Sequence, residues 1–142
     1  MAGIVNALDG ASVNAKFDLI SALGQAKAKD KWRTIADFLS SESAELRSIA
    51  ASTLGRLGNI EAADAIASQA ARETDGRVKL QIAGAVRQLA AKGAIDSLIP
   101  WLGDENEQVR AESRSALEGL TGQRFGNDVA QWQAWWAQNR PK

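Results

Sequence analysis

The chain has 142 residues, of which 45% are apolar, and its 17 basic side chains balance 17 acidic ones. That is enough for one domain with its own core, and the lack of a basic half argues against non-specific nucleic-acid binding, which needs clustered cationic charge. Cysteine, histidine and tyrosine are all absent, which removes thiolate chemistry, the usual general base near neutral pH and the commonest transition-metal ligands. Carboxylate, Lys, Arg and hydroxyl groups remain, so no catalytic group, cofactor or metal is expected.

No run approaches the about eighteen apolar residues that span a bilayer. This points away from a membrane and makes the cytoplasm the default compartment, with a secreted or periplasmic mature domain as the alternative.

Residues 1–9 match a later pattern, because Ile4 and Leu8 precede Ile35 and Leu39 by 31 positions. They read as an N-terminal half-unit whose poorly covered Ile4, Val5 and Leu8 predict weak self-association through that end. Over 12–41 the apolar set Ala15, Leu19, Ala22, Leu23 and Ala26 predicts a helix (A), and Trp32, Ile35, Ala36 and Leu39 a second one (B). The next unit, 43–73, repeats this with Leu46, Ala50, Thr53, Leu54 and Leu57, a turn at Gly58-Asn59, then Ala63, Ile66, Ala67 and Ala70. The third, 75–104, uses Val78, Ile82, Ala85, Val86 and Leu89, a turn at Lys92-Gly93, then Ile95, Leu98, Ile99 and Leu102, with Pro100 expected to kink or shift that helix. The last segment, 106–140, opens with Val109, Ala116, Leu117 and Leu120, has polar Ser113 at a core position, and continues into a helix with Trp132, Trp135 and Trp136 that Asp128 and Gln131 begin as a capping box.

The registers hold across the chain. Leu23, Leu54, Val86 and Leu117 are separated by 31, 32 and 31 residues, and Ala15, Leu46, Val78 and Val109 keep the same steps. A period in the range of roughly 20–50 residues marks a stacked repeat array, so one continuous all-α domain over residues 1–142 is expected. It is an α-solenoid of about four antiparallel helix pairs, closed by a Trp-rich C-terminal cap.

The segments Glu45-Leu-Arg-Ser-Ile-Ala-Ala-Ser-Thr-Leu-Gly-Arg-Leu-Gly58 and Glu107-Gln-Val-Arg-Ala-Glu-Ser-Arg-Ser-Ala-Leu117 resemble HEAT-like repeats of the bilin-lyase type, and the ending with Trp132 and Trp135-Trp136 is similar to a closing segment of bacterial HEAT-like proteins. The resemblance implies a right-handed superhelix with B helices on its concave side. It also implies a range of roles: protein adaptor, scaffold subunit of a bilin-lyase-like complex, or HEAT-like nucleic-acid module.

On that concave side, equivalent positions form columns: Arg33, Asp64 and Asp96; Asp37, Ser68 and Pro100; Phe38, Gln69 and Trp101. Phe38 and Trp101 are candidate aromatic anchors for a bound polypeptide, with Gln69, Arg33, Asp37, Asp64 and Asp96 around them; packing between neighbouring B helices is the competing role for the aromatics. The basic column Lys16, Arg47, Lys79 and Arg110 is expected to act as a structural ladder, pairing with acidic or carbonyl groups near Glu42, Asp75 and Asn106. The tryptophans are expected to cover the last unit rather than offer a ligand platform.

Overall fold

The computed structural model describes residues 12–141, and every regular element among them is helical. Long helices alternate with short ones. The long helices are α1 (Val13–Gln25), α3 (Ala44–Leu57), α5 (Gly76–Leu89) and α7 (Glu107–Thr121); the short ones are α2 (Trp32–Asp37), α4 (Ala63–Ala70) and α6 (Ile95–Trp101). A single 3-10 turn precedes each short helix, at Lys29–Lys31, Ile60–Ala62 and Lys92–Ala94. The terminal helix, α8 (Val129–Asn139), packs against α6. Successive long helices pack side by side, and the short ones flank them, which is an all-α solenoid.

Each long helix starts the same way. Ser12, Ser43, Asp75 and Asn106, again 31, 32 and 31 residues apart, have side-chain oxygens that accept from backbone N–H groups of the first turn, satisfying donors that a helix start leaves without partners. Asp128 does the same for α8, accepting from the Gln131 N–H at 3.0 Å.

The helix ends are less uniform. Gly58 takes the left-handed conformation after α3, and in the same column Lys27 and Ala90 adopt it with φ of 53° and 52°. The reversal after α5 is therefore made at Ala90, two residues before the expected Lys92-Gly93 turn; Gly93 instead belongs to the 3-10 turn. A Cβ in the left-handed region costs about 1–2 kcal/mol relative to glycine, so Ala90→Gly is expected to raise the unfolding free energy by roughly 1 kcal/mol, seen as a higher melting temperature. An unchanged or lower value would show that the strain is relieved locally.

The core is one continuous cluster along the array, with Leu46, Leu54, Ile66, Ile82, Val86, Leu98, Val109 and Leu117 among its buried members. At Gly55 a Cβ would lie 3.0 Å from the Cα of Ala85, so this glycine lets α3 and α5 approach closely. Ser113 is fully buried in α7 and its hydroxyl has no hydrogen-bond partner.

The first unit departs from its expected packing. In α1 only Ile20 is fully buried, Leu19 and Leu23 are half-buried, and Ala15, Ala22 and Ala26 are exposed, whereas Ile35 and Leu39 of the same unit are buried as expected. The cause is that α1 packs through its side facing α3, where Gly24 comes against Thr53. Ile4, Val5 and Leu8, expected to pair with the first unit and to drive self-association, lie outside the described residues.

Candidate functional site

The short helices carry the columns in which binding residues were expected. Arg33, Asp64 and Asp96 are exposed at equivalent positions of α2, α4 and α6, as are Asp37, Ser68 and Pro100. The periodicity of the array sets these side chains in rows on the surface.

Their surroundings differ from unit to unit. Arg33 lies with its guanidinium carbon 5.1 Å from the Trp32 ring centre, an arrangement favourable for a cation over an aromatic face. It lines a depression of about 580 Å³ with Lys29, Asp30, Trp32, Ile60 and Glu61, in which Ile60 is 74% exposed. Asp96 is held by the terminal helix: its carboxylate accepts from the Trp136 indole N–H at 3.0 Å and from Arg140 at 2.8 Å. Arg33 and Asp96 therefore line separate depressions rather than one groove.

The aromatic column is mostly internal. Trp101 is only 7% exposed, with the Lys79 ammonium 5.6 Å from its ring centre, and Phe38 is half-buried against the core. Gln69 is buried too, donating to Glu73 at 2.9 Å and accepting from Arg72. Each position comes one residue before a core position; Trp101 and Gln69 are packed inside, whereas Phe38 stays half-buried.

Three members of the basic column, Arg47, Lys79 and Arg110, form a ladder. Arg47 donates to both carboxylate oxygens of Glu73, at 3.0 and 3.2 Å, and to the carbonyls of Ser41 and Glu42. Lys79 donates to Asp104 at 2.7 Å, and Arg110 to the carbonyls of Asp104 and Glu105. Each base thus pins the loop that leads into its own helix or the one that follows. The carbonyl of Glu42 takes part as expected, and the acids are Glu73 and Asp104, each two residues before the expected neighbourhoods' markers Asp75 and Asn106, which themselves serve as helix caps. The column Glu42, Glu73 and Asp104, at steps of 31, was the signal for them.

Burial pushes the Glu73 carboxyl up, but hydrogen bonds from Arg47, Gln69 and the Asp75 backbone, with the Arg47 charge, outweigh it and hold the group below its ordinary 4.5. Asp104 follows the same pattern, burial opposed by Lys79, the Asn106 backbone and Arg110, and lies below its ordinary 3.8.

At the C-terminal end Trp132 is fully buried and Trp136 nearly so, while Trp135 is half-buried and stacks on Trp136 with ring centres 6.2 Å apart. The indole N–H groups of Trp132 and Trp136 are spent on Gly126 and Asp96. These rings cover the last unit.

The long helices carry a surface that the periodicity alone did not single out. A groove of about 340 Å³ runs over α1, α3 and α5, lined by Phe17, Ala44, Glu45, Ser48, Ile49, Ser52, Arg77 and Gln81. Phe17 is 37% exposed and Val13, one turn earlier, 40%. Phe17, Ile49 and Leu80 are apolar residues outside the core registers, which was the available clue.

Among the described residues no group of three or more acidic side chains could hold a metal ion, and no helix is long and apolar enough to cross a membrane. Stacked helix pairs with internal ladders define a helical-repeat solenoid, a class whose members present surfaces rather than enclosed pockets. A family model for HEAT repeats matches residues 1–87, and the chain belongs to that family. Comparison with curated proteins gives no match. HEAT repeats are commonly protein-interaction scaffolds and typically non-catalytic.

Proposed function

We propose that this protein is a non-catalytic scaffold that binds another polypeptide along the exposed side of its short helices. The observation that carries the reading is the row of exposed charged positions repeated on successive short helices, Arg33, Asp64 and Asp96 beside Asp37, Ser68 and Pro100. Three of the four charged groups are acidic, and Asp96 already has Arg140 beside it. Free acidic character is thus concentrated at Asp37 and Asp64, which favours a partner segment carrying Lys or Arg. Half-buried Phe38 and the exposed Ile60 beside Trp32 supply apolar contact, while Trp101 and Gln69 support the row from beneath. The absence of Cys and His supports a binding role over catalysis.

The test is a binding titration of a partner recovered with the wild-type protein, repeated with Asp37→Lys plus Asp64→Lys. Both positions are exposed, so the fold is retained, and reversing two rim charges is expected to weaken binding about tenfold, largely through the on-rate. Undiminished affinity in the folded double variant would remove the short-helix face from consideration.

A further inference from the structure

We propose that the face of the long helices is a self-association surface on which a second copy of this chain docks, long-helix layer against long-helix layer, about a two-fold axis lying between α3 and α5 and parallel to them. It uses none of the residues in the binding reading above and stands or falls separately.

The groove over α1, α3 and α5 supplies the apolar centre, and the repeat supplies the complementarity. A two-fold interface must be complementary to itself. An axis in this position sets the first unit against the fourth of the other copy and the second against the third, with equivalent positions at the same height.

One column, Phe17, Ser48, Leu80 and Ala111, alternates large and small; Phe17 and Ser48 line the groove, and Leu80 and Ala111 continue the column on the next two long helices. Under that axis Phe17 faces Ala111 of the second copy and Leu80 faces its Ser48, so each large side chain meets a small one. The neighbouring column is Asn14, Glu45, Arg77 and Gln108. There Glu45 faces Arg77 of the second copy, twice over, and the amides of Asn14 and Gln108 face each other.

Glu45 and Arg77 are both exposed. Arg77 now pairs with Asp75 at 3.2 Å, an exposed contact that contributes little and leaves Arg77 able to take a second carboxylate. Two columns oppose the arrangement, since Val13 would face Glu107 and Asp18 would face Glu112; Glu112 already holds Arg87 at 2.8 Å, which supplies the countercharge there.

A foreign partner surface of uniform charge sign would meet one of Glu45 and Arg77 as a like charge. A rim carrying one charge of each sign is suited to a copy of itself, and the chain's balanced 17 and 17 charges leave no net repulsion between copies.

Sedimentation equilibrium over rising concentration tests this with wild type, Glu45→Arg, Arg77→Glu and an equimolar mixture of the two variants. Wild type is expected to form a reversible dimer, and each reversal to weaken it about tenfold by creating two like-charge contacts. In the mixture every contact again joins opposite charges, so association is expected to return to the wild-type level. A wild type that stays monomeric at all concentrations, or a mixture as weak as its components, overturns the proposal. Melting curves check that both variants are folded; if either is not, Phe17→Ser at the exposed large position must weaken the dimer at least about fivefold, and wild-type association in that variant also overturns it.

Discussion

Truncating Trp132 to alanine lowers the unfolding free energy by about 3–5 kcal/mol, the range for deleting a fully buried large aromatic. The indole is wholly inside, it donates to the Gly126 carbonyl at 2.9 Å, and its ring meets Phe125 edge-on with centres 4.8 Å apart. The substitution removes the buried area, breaks the aromatic pair and strands a carbonyl in the loop before α8. The measurement is the urea midpoint, followed by tryptophan fluorescence and by circular dichroism. A single cooperative transition shifted to lower urea is expected; a loss below about 1 kcal/mol would mean that α8 unfolds separately from the array.

Replacing Glu73 by alanine costs about 3–5 kcal/mol, since removing one partner of a buried ion pair leaves the other uncompensated. The Glu73 side chain is 1% exposed and Arg47 17%. Arg47 would keep its two loop carbonyls and lose both carboxylate contacts, and Gln69 would lose its acceptor.

The same group makes stability depend on pH. Its carboxyl is held below 4.5 in the folded chain, so its contribution is fully present above that value and disappears as pH falls through the lower, folded-state value. Asp104 acts in the same direction below 3.8. Melting temperature is therefore expected to fall as pH is lowered from about 5 to 3, with a shallower fall in Glu73→Gln; equal slopes would place the acid sensitivity elsewhere.

Much of this architecture was legible because repetition multiplies weak signals. One apolar residue at a helical spacing is ordinary, whereas Leu23, Leu54, Val86 and Leu117 at constant steps mark four long helices, and Arg47, Lys79 and Arg110 mark a ladder in the same way; the capping column Ser12, Ser43, Asp75 and Asn106 keeps these steps too, but Asp75 and Asn106 were expected beside the ladder instead. What the columns did not convey is depth. Phe38, Gln69 and Trp101 share a register, yet their burial depends on what packs over each one, such as Lys79 from the long helix of the same unit beside Trp101, and the register does not show that. Ala90 makes the reversal after α5 in a conformation that glycine and asparagine usually hold, so its residue type carries no signal of the turn. Phe17, Ile49 and Leu80 were hidden for another reason: they do not belong to the core registers, so a search for the core looks past them.

The ladder also bears on how such a chain can change length. Arg47 reaches forward 26 residues to Glu73 and Lys79 reaches 25 to Asp104, both shorter than the 31- or 32-residue step. Every clamp therefore closes within one repeat and the loop that leaves it. A whole unit can be duplicated or deleted with each remaining base still opposite its acid, whereas a break inside a unit separates a buried carboxylate from its guanidinium. Charge pairing of this span makes the complete repeat the smallest piece of the array that can be added or lost without stranding a buried charge.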